Sequence, residues 1–346
     1  MKFLLRVFVL TCSATPAAAQ KVPVVDLQPT RQFAEPFSRI RGVRELSDGS
    51  VLIADQIEVA VYRIRFETGE RVRIGREGAG PQEYDSPTGL YPLPGDSTLL
   101  MDLRNGRLAV LSPDGGFGES YSMGEGFSRI FAQSDTVGNL FWREADLSIL
   151  RMDRATGRID TVTTLRPPDM FMNNGRSRIV AFSVSDWWAV SWDGRVAVAR
   201  HDPYRIDWYG LDGSETRGPA VVYDPFPVRR QERRAWEERP RTTMSLGGSS
   251  STGGRAAPPK DRFPDHLPPF ERREVHTTPE GGVWVQRIQP AGVTRPLFDV
   301  FDATGTRVRQ VRLPEGRDVV GFGRGTLYAT REDDDGLLWL ELYRRR

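Results

Sequence analysis

The chain has 346 residues, 38% of them hydrophobic, and its mean hydropathy is −0.45. This composition is typical of a soluble protein with a sizeable core, and it excludes a mature membrane span. The 48 basic and 46 acidic residues nearly balance, which removes the main electrostatic basis for binding nucleic acid. The 34 Gly and 25 Pro are spread along the chain and indicate many short turns.

Residues 1–19 resemble an export signal. Lys2 and Arg6 supply the positive flank, and Ala17–Ala19 is a small-residue cleavage site. Removing this leader takes two basic residues and no acidic one, so the mature chain carries equal numbers of each. We therefore expect an exported protein, periplasmic or extracellular, whose mature domain covers 20–346.

Cys12 is the only cysteine, and it lies inside the predicted leader. The mature chain then has none, which excludes disulfides, thiol catalysis and cysteine-based metal sites. Two alternatives to cleavage stay open. One is a disordered cytoplasmic leader. The other is lipid attachment at Cys12, because Val9–Cys12 weakly resembles a bacterial lipobox, with Thr11 where a smaller residue is expected.

An internal repeat is clearest in Thr88–Met123. Turn sequences with Gly, Asp and Asn divide this stretch into short alternating runs, which is the signal of successive hairpins. Each run has about five residues, the usual length of a strand. The predicted strands are Gly89–Leu93, Thr98–Asp102, Arg107–Leu111 and Phe117–Tyr121.

The same layout recurs six times, with a period of about 42–47 residues that is stretched where loops are longer. Four strands per unit at this period predict a β-propeller. The last unit ends after three strands, and Val22–Phe33 is an unassigned extended segment that would supply the fourth. The six units are Ile40–Ile74, Thr88–Met123, Ser128–Leu165, Ser185–Val222, Glu271–Leu313 and Arg317–Arg346.

Two stretches carry a resemblance to a known family. They are Gly75–Leu90, rich in Gly and Pro, and Leu99–Asp114. With the period of the whole chain, they resemble the six-bladed propellers of secreted bacterial proteins related to NHL repeats. The resemblance implies a fold and no particular activity, because propellers host binding proteins and several classes of enzyme. Gly75–Gly80 lacks the Lys-Ser/Thr and the helix of a phosphate loop, so we interpret it as a connector between blades.

One segment, 224–270, interrupts the period between blades four and five. Within it, Val228–Arg239 is compatible with a helix, Leu246–Pro259 is flexible by composition, and Phe263–Phe270 is Pro-rich and partly apolar. The fold class predicted is therefore all-β. It is a six-bladed β-propeller of four-stranded antiparallel blades, closed by the N-terminal strand, with one mostly irregular or helical insertion that could lie across one mouth of the channel.

Candidate site residues occur where the second strand of each unit ends. Asp55 and Asp102 occupy equivalent places, and such an Asp most often holds the following turn by accepting backbone N–H groups. The alternative is a ring of acids that binds a cation, and calcium would need six or more oxygens. The candidate ligand- or partner-binding residues are Asp55, Asp102, Arg104, Trp142, Arg143, His201, Asp202, Arg233, Trp236 and Arg331.

Catalytic signals are sparse. The three histidines lack the spacing of a metal site, and no Gly-x-Ser-x-Gly motif is present. His201 and Asp202 could act as a base and the group that orients it. Most tryptophans fall on predicted strands and should pack between blades. Trp142 and Trp236 are expected to be exposed contacts, the latter beside Arg233, although a solvated arginine-rich helix is the simpler interpretation.

These observations favour a non-catalytic binding or scaffold propeller, expected as a monomer without nucleic acid, metal or cofactor. Its ligand or partner, a protein or a small molecule, would contact the channel mouth and the insertion at 224–270. Whether the protein is an enzyme stays open. The alternative function is a calcium-dependent, lactonase-like hydrolase with Ca²⁺ held by residues such as Asp55, Asp102 and His201.

Overall fold

The computed structural model describes residues 21–123, 133–173, 176–238, 263–270 and 274–345. Six small antiparallel sheets form a ring, and each contributes its innermost strand to a central channel. The prediction of an all-β, six-bladed propeller is confirmed. From the inner to the outer strand, the first three blades are Ile40–Glu45, Val51–Asp55, Ala60–Ile64 and Arg71–Ile74; Pro87–Pro92, Thr98–Asp102, Arg107–Leu111 and Phe117–Ser122; and Gln133–Ser134, Asn139–Arg143, Ser148–Asp153 and Ile159–Thr164.

The other three blades repeat this order, and the last two each include a strand from the N-terminal segment. Blade four has only strands from its own unit. The strands are Trp187–Val190, Val196–His201, Tyr204–Tyr209 and Glu215–Arg217; Val275–Thr277, Val283–Gln286, Leu297–Phe301, Arg307–Arg312 and Val24–Asp26; and Arg317–Gly323, Thr326–Glu332, Leu338–Arg344 and Arg31–Gln32.

The hydrophobic core lies between neighbouring blades, since every sheet is covered on both faces. In the second strand of blade one, Val51 and Ile53 pack against blade six, whereas Leu52 and Ala54 pack against blade two. Successive side chains of a strand point to opposite faces, so both sets are buried. This explains why Val51–Asp55 is a continuous apolar run that ends in one carboxylate.

The turns that precede the fourth strands confirm the repeat. The glycines at this position all have positive φ, between 71° and 93°, a conformation that glycine adopts without steric cost. They form the same tight turn in five of the six blades. These residues are Gly69, Gly115, Gly157, Gly213 and Gly305.

The N-terminal segment closes the ring, as predicted, and does so with two strands. Arg31–Gln32 is the antiparallel outer strand of blade six, where Arg31 pairs with Leu342. Val24–Asp26 adds a parallel strand to the outer edge of blade five, which the sequence did not predict. Phe33 is fully buried between blades six and one. The predicted leader lies outside the described residues.

The end of the ring where each outer strand leads to the next inner strand is called the crossover face. Because the blades are antiparallel, the turns between second and third strands lie on the same face. The connector after blade one is held there by Tyr84, which is fully buried. Its hydroxyl donates to the carbonyl of Ile74 at 2.6 Å and accepts from the N–H of Val61 at 2.9 Å. Gly75 in this connector is therefore structural.

Two extra elements, a hairpin and a helix, lie on the crossover face around blade four. A hairpin of Met170–Asn173 and Arg176–Ile179 precedes its inner strand and was not predicted. The helix Arg230–Glu238 follows its outer strand and confirms the prediction of a helix in this insertion. Leu246–Pro259 lies outside the described residues. In the part of the chain that is described, no helix is long and apolar enough to cross a membrane.

Candidate functional site: the central channel

The inner strands of all six blades enclose a cavity of about 750 Å³. Much of its wall is apolar or aromatic, with Leu90, Tyr91, Trp187 and Phe322 among the lining side chains. Burial raises the pKa of the Tyr91 phenol to about 12, so this ring keeps its proton in the channel. The charged or titratable groups in the wall are Arg41, Arg44, Glu274 and His276.

Arg44 is a structural cation of the channel wall. It is only 3% exposed, and its guanidinium contacts Asp96 at 3.1 Å and Thr98. Burial lowers its pKa to about 10, although the Asp96 carboxylate opposes this shift. A buried charge with a carboxylate partner is stabilised where it lies, and Arg44 therefore ties blade one to blade two.

Arg41 lies at the start of the inner strand of blade one, on the crossover face, and is exposed to the channel. Its Nε donates to the side chain of Gln56 at 3.1 Å. Within the described ranges, no carboxylate lies within ion-pair distance of its guanidinium. Partial burial and the neighbouring charge of Arg39 lower the pKa of Arg41. Its positive charge thus faces the channel without an ion-pair partner in the described part of the chain.

Acidic groups gather at the same mouth on blades five and six. Glu274 precedes the inner strand of blade five and contacts the imidazole of His276 at 3.3 Å. Asp318 lies on the inner strand of blade six, and Glu332 ends the second strand of that blade. The Asp318 side chain is exposed, but partial desolvation, with the negative charges of Glu274 and Glu332, raises its pKa.

The predicted candidates Asp55 and Asp102 are structural. Both are fully buried. Asp55 accepts the N–H groups of Ser38 and Arg39 in one connector, and Ile57 and Glu58 in the next turn, at 2.7–3.1 Å. Asp102 accepts the N–H groups of Asp85 and Ser86 in the next connector at 3.0 Å, and the side chains of Asn105 and Arg107 donate to its other oxygen. The interpretation of these residues as turn-holding carboxylates is confirmed.

Trp142 was predicted to be an exposed contact, and this is wrong. It is 2% exposed and packs between blades two and three, with its indole N–H bonded to Glu144 at 2.6 Å. The second strand of a blade has both faces covered, so no side of it is left for a partner. Arg143, the next residue, lies 5.9 Å from the ring of Trp187.

His201 is oriented by a different acid from the one predicted. Its Nδ1 lies 2.9 Å from the carboxylate of Asp186, which precedes the inner strand of blade four. Asp202 contacts Arg166 through its carbonyl oxygen. Burial would raise the pKa of Asp186, but hydrogen bonds from His201, Arg200 and Arg166 outweigh it and hold that pKa well below its usual range.

Trp236 was also predicted to be exposed, and this too is wrong. It is 9% exposed, and its ring lies 5.6 Å from Phe263 and 6.3 Å from Phe182. Arg233 lies over the same Phe263 ring at 5.4 Å. The helix thus uses its one aromatic residue as an anchor. The carboxylate of Glu232, which accepts the N–H of Arg229, closes the helix start as a capping box does.

The remaining candidates lie on the crossover face without lining the cavity. Arg104 is largely exposed and contacts Asp85 at 2.8 Å. Arg331 is turned toward Glu341, at 3.8 Å. None of the ten predicted residues is in the cavity wall. Sequence reasoning missed Arg41 and Glu274, and the available signal was their place at the start of predicted inner strands, the strands that face the channel.

The six blades around one channel define the protein as a six-bladed β-propeller. Two solved structures of similar fold are a DUF4221 family member from Bacteroides vulgatus, 11% identical with a TM-score of 0.52, and a Bacteroides fragilis protein provisionally described as exported, 13% identical with a TM-score of 0.55. Each aligns over 94% of this chain, and over 97% and 100% of the other chain. A gluconolactonase from Xanthomonas campestris is 11% identical, covers 95% of this chain and 99% of its own, and has a TM-score of 0.47.

At these identities the similarity shows the fold alone. No protein-family model matches the sequence, and no curated protein does. The predicted resemblance to bacterial six-bladed propellers is confirmed at the level of the fold. An activity has to be argued from the channel itself.

Proposed function

We propose that the protein is an exported, non-catalytic binding propeller that takes a ligand into its central channel through the crossover face. The observation that carries this proposal is the cavity of about 750 Å³, which falls within the usual range of ligand pockets, roughly 300–1,000 Å³. Its aromatic wall with few charged groups is also the usual character of such pockets. Export is inferred from the leader at 1–19 and accords with the provisional description of the Bacteroides fragilis protein.

Two hydroxyl groups of the wall are hydrogen-bonded to backbone carbonyls. Ser134 donates to the carbonyl of Pro92 at 2.6 Å, and Thr277 donates to the carbonyl of Val190 at 2.5 Å. Each bond staples the inner strands of two blades. A nucleophilic hydroxyl needs an adjacent base that takes its proton, and these two have carbonyl partners instead. This favours binding over acyl transfer.

The carboxylates considered for calcium are committed as well. Asp55 and Asp102 are saturated with N–H and guanidinium donors, whereas a calcium site needs oxygens that converge on one point. In the described part of the chain, no group of three acidic, His or Cys side chains is arranged to hold a metal ion. Binding without catalysis is therefore the function that we propose, ahead of the calcium-dependent hydrolase.

Plugging the channel tests this proposal. The probe is 1-anilinonaphthalene-8-sulfonate, an aromatic anion whose fluorescence rises in apolar sites. Val320 lines the cavity, and Val320→Trp should fill it. Val72→Trp is the matched control, because Val72 is 48% exposed on an outer strand. We expect the control to bind the probe as the wild type does and the plugged variant to bind at least about tenfold more weakly, or 1.4 kcal/mol.

Circular dichroism and melting must show that both variants are folded. Equal binding by Val320→Trp and wild type, or no binding by the wild type, would overturn the proposal. If the wild type hydrolysed members of a panel of lactones in the presence of calcium, and a chelator abolished this activity, the result would support the hydrolase instead.

A further inference from the structure

The charges at the mouth of the channel are segregated by sign. Arg41 and Arg39 lie at the start of blade one. Glu274, Asp318 and Glu332 lie on blades five and six. All five are on the crossover face, because they stand at the start of an inner strand or the end of a second strand. The two groups thus flank one opening.

Among the residues that the structure describes, the basic group has no ion-pair partner. Arg41 lines the cavity, and its partner is the neutral side chain of Gln56. Arg44, three residues further along the same inner strand, differs in this respect, because it forms an ion pair with Asp96 at 3.1 Å. Within the described residues neither Arg41 nor Arg39 forms an ion pair. A fork of N–H donors left open beside a cavity is suited to a carboxylate.

Glu274 contacts His276 at 3.3 Å, but in the described part of the chain the other two acids, Asp318 and Glu332, have no cation beside them, and the strand geometry explains why. Arg317 and Arg331 are next in sequence to Asp318 and Glu332, but alternate residues of a strand point to opposite faces. Both arginines turn to Glu341, at 2.8 Å and 3.8 Å. In the described ranges, Asp318 and Glu332 have no ion-pair partner. The carboxylates at the mouth can therefore receive an ammonium group.

An apolar wall continues from these charges into the channel. The rings of Tyr91, Trp187 and Phe322 line the cavity, and the imidazole of His276 lies 5.7 Å from the Phe322 ring. Such a surface accepts an aliphatic or aromatic side chain, worth about 25 cal/mol for each Å² removed from water. The cavity thus offers three complementary features: a basic edge, an acidic edge and an apolar interior.

We infer that the ligand of this channel is a zwitterion with an apolar body, such as an apolar amino acid or short peptide, whose carboxylate meets Arg41 and whose ammonium group meets Asp318 and Glu274. This inference rests on the proposed function and names its ligand class. The acidic and basic edges belong to blades five, six and one, so a single ligand has to reach across the blade-six side of the mouth.

A matched ligand series tests each charge separately. The probes are leucine, dileucine and trileucine, each also as the N-acetyl form, which lacks the ammonium, and the C-terminal amide, which lacks the carboxylate. Binding is measured by calorimetry and by displacement of the anilinonaphthalene sulfonate. For the length that fits the mouth, we expect the zwitterion to bind at least about tenfold more tightly than either blocked form, or 1.4 kcal/mol.

Two variants assign the edges. In Asp318→Asn, N-acetylation should no longer weaken binding of the ligand, whereas amidation should weaken it as in the wild type. In Arg41→Gln, amidation should no longer weaken binding, whereas N-acetylation should. Each such loss of affinity is called a penalty. Asp334→Asn and Arg73→Gln are the matched controls, since both residues are exposed and neither lies on an inner strand: Asp334 follows the second strand of blade six, and Arg73 is on the outer strand of blade one. Each control should keep both penalties.

The outcomes separate this inference from the proposed function. Equal binding of blocked and free peptides, or binding of none, overturns the zwitterion while channel-dependent binding of the fluorescent probe still stands. Loss of one penalty in a control variant would also overturn the assigned edges. Failure of the probe to discriminate Val320→Trp from wild type removes the proposed function itself.

Discussion

Replacing Asp55 by Asn should destabilise the protein equally in the presence and in the absence of calcium. One carboxylate oxygen accepts the N–H groups of Ser38 and Arg39, and the other accepts those of Arg39, Ile57 and Glu58. An Asn amide keeps one acceptor oxygen and turns an NH₂ group toward the remaining donors. If the NH₂ group faces Ser38, that N–H loses its partner, and if it faces Ile57 and Glu58, both of theirs do. At least one backbone N–H group is therefore left without a partner in a fully buried site.

The expected size follows from the number of bonds lost. A hydrogen bond to a charged group contributes about 1.5–3 kcal/mol, so losing one of them costs roughly 1.5 kcal/mol or more. The unfolding entropy is about 2.1 cal/mol/K per residue, which gives about 0.7 kcal/mol/K for a chain of this size. The melting temperature of Asp55→Asn should therefore fall by about 2 °C or more relative to the wild type.

Melting followed by circular dichroism, with calcium and with a chelator, measures this effect. Asp334→Asn is the control at an exposed acid and should melt within about 1 °C of the wild type, as most surface substitutions do. A fall of less than 1 °C for Asp55→Asn would refute the reasoning. So would a calcium-dependent rise in the wild-type melting temperature that this variant loses, because that would make Asp55 a metal ligand.

Three further predictions follow from the packing. The pKa of Asp186 is held below its usual value of about 3.9, so the stability that it contributes is complete above that pH and is lost as pH falls further. In urea unfolding, the difference in free energy of unfolding between wild type and Asp186→Asn should be full at pH 7 and shrink below about pH 4. A difference that does not change with pH would contradict this. Deleting residues 21–33 should cause unfolding or aggregation in size-exclusion chromatography, whereas deleting only residues 21–27 should leave a folded, less stable monomer; equal behaviour would show that Arg31–Gln32 does not close the ring. Trp236→Ala should cost about 3 kcal/mol in urea unfolding, because it empties the contact with Phe263. An unchanged midpoint would show that the helix is not anchored there.

Much of the fold could be predicted because each blade is built from local hairpins. In blade two, Thr98–Asp102 and Arg107–Leu111 were predicted to the residue, since turn sequences bound them on both sides. Strands without such boundaries were harder. The inner strand of blade three, observed as Gln133–Ser134, shows little alternation, and the parallel strand Val24–Asp26 has no local partner that could mark it.

The site was harder to predict because its contacts join residues that are distant in sequence. The carboxylate that contacts His201 comes from Asp186, fifteen residues earlier. The adjacent Asp202 instead accepts from Arg166 through its backbone carbonyl. Trp142 and Trp236 look like candidates for exposed contacts, but the first lies in a strand covered on both faces and the second anchors a helix. The segregated charges at the mouth depend on which inner-strand residues stand at the crossover face, and only the blade order reveals this.

Closing the ring with the N-terminal segment has a kinetic consequence. Arg31 pairs with Leu342 and Val24 with Gln310, so segments far apart in the chain have to meet to close the ring. Contacts of such high sequence separation form slowly, and we expect the insertion of the N-terminal segment to be a late step of folding. The reverse process must unzip backbone hydrogen bonds inside a blade instead of parting two side-chain surfaces, which favours a propeller that, once closed, opens rarely.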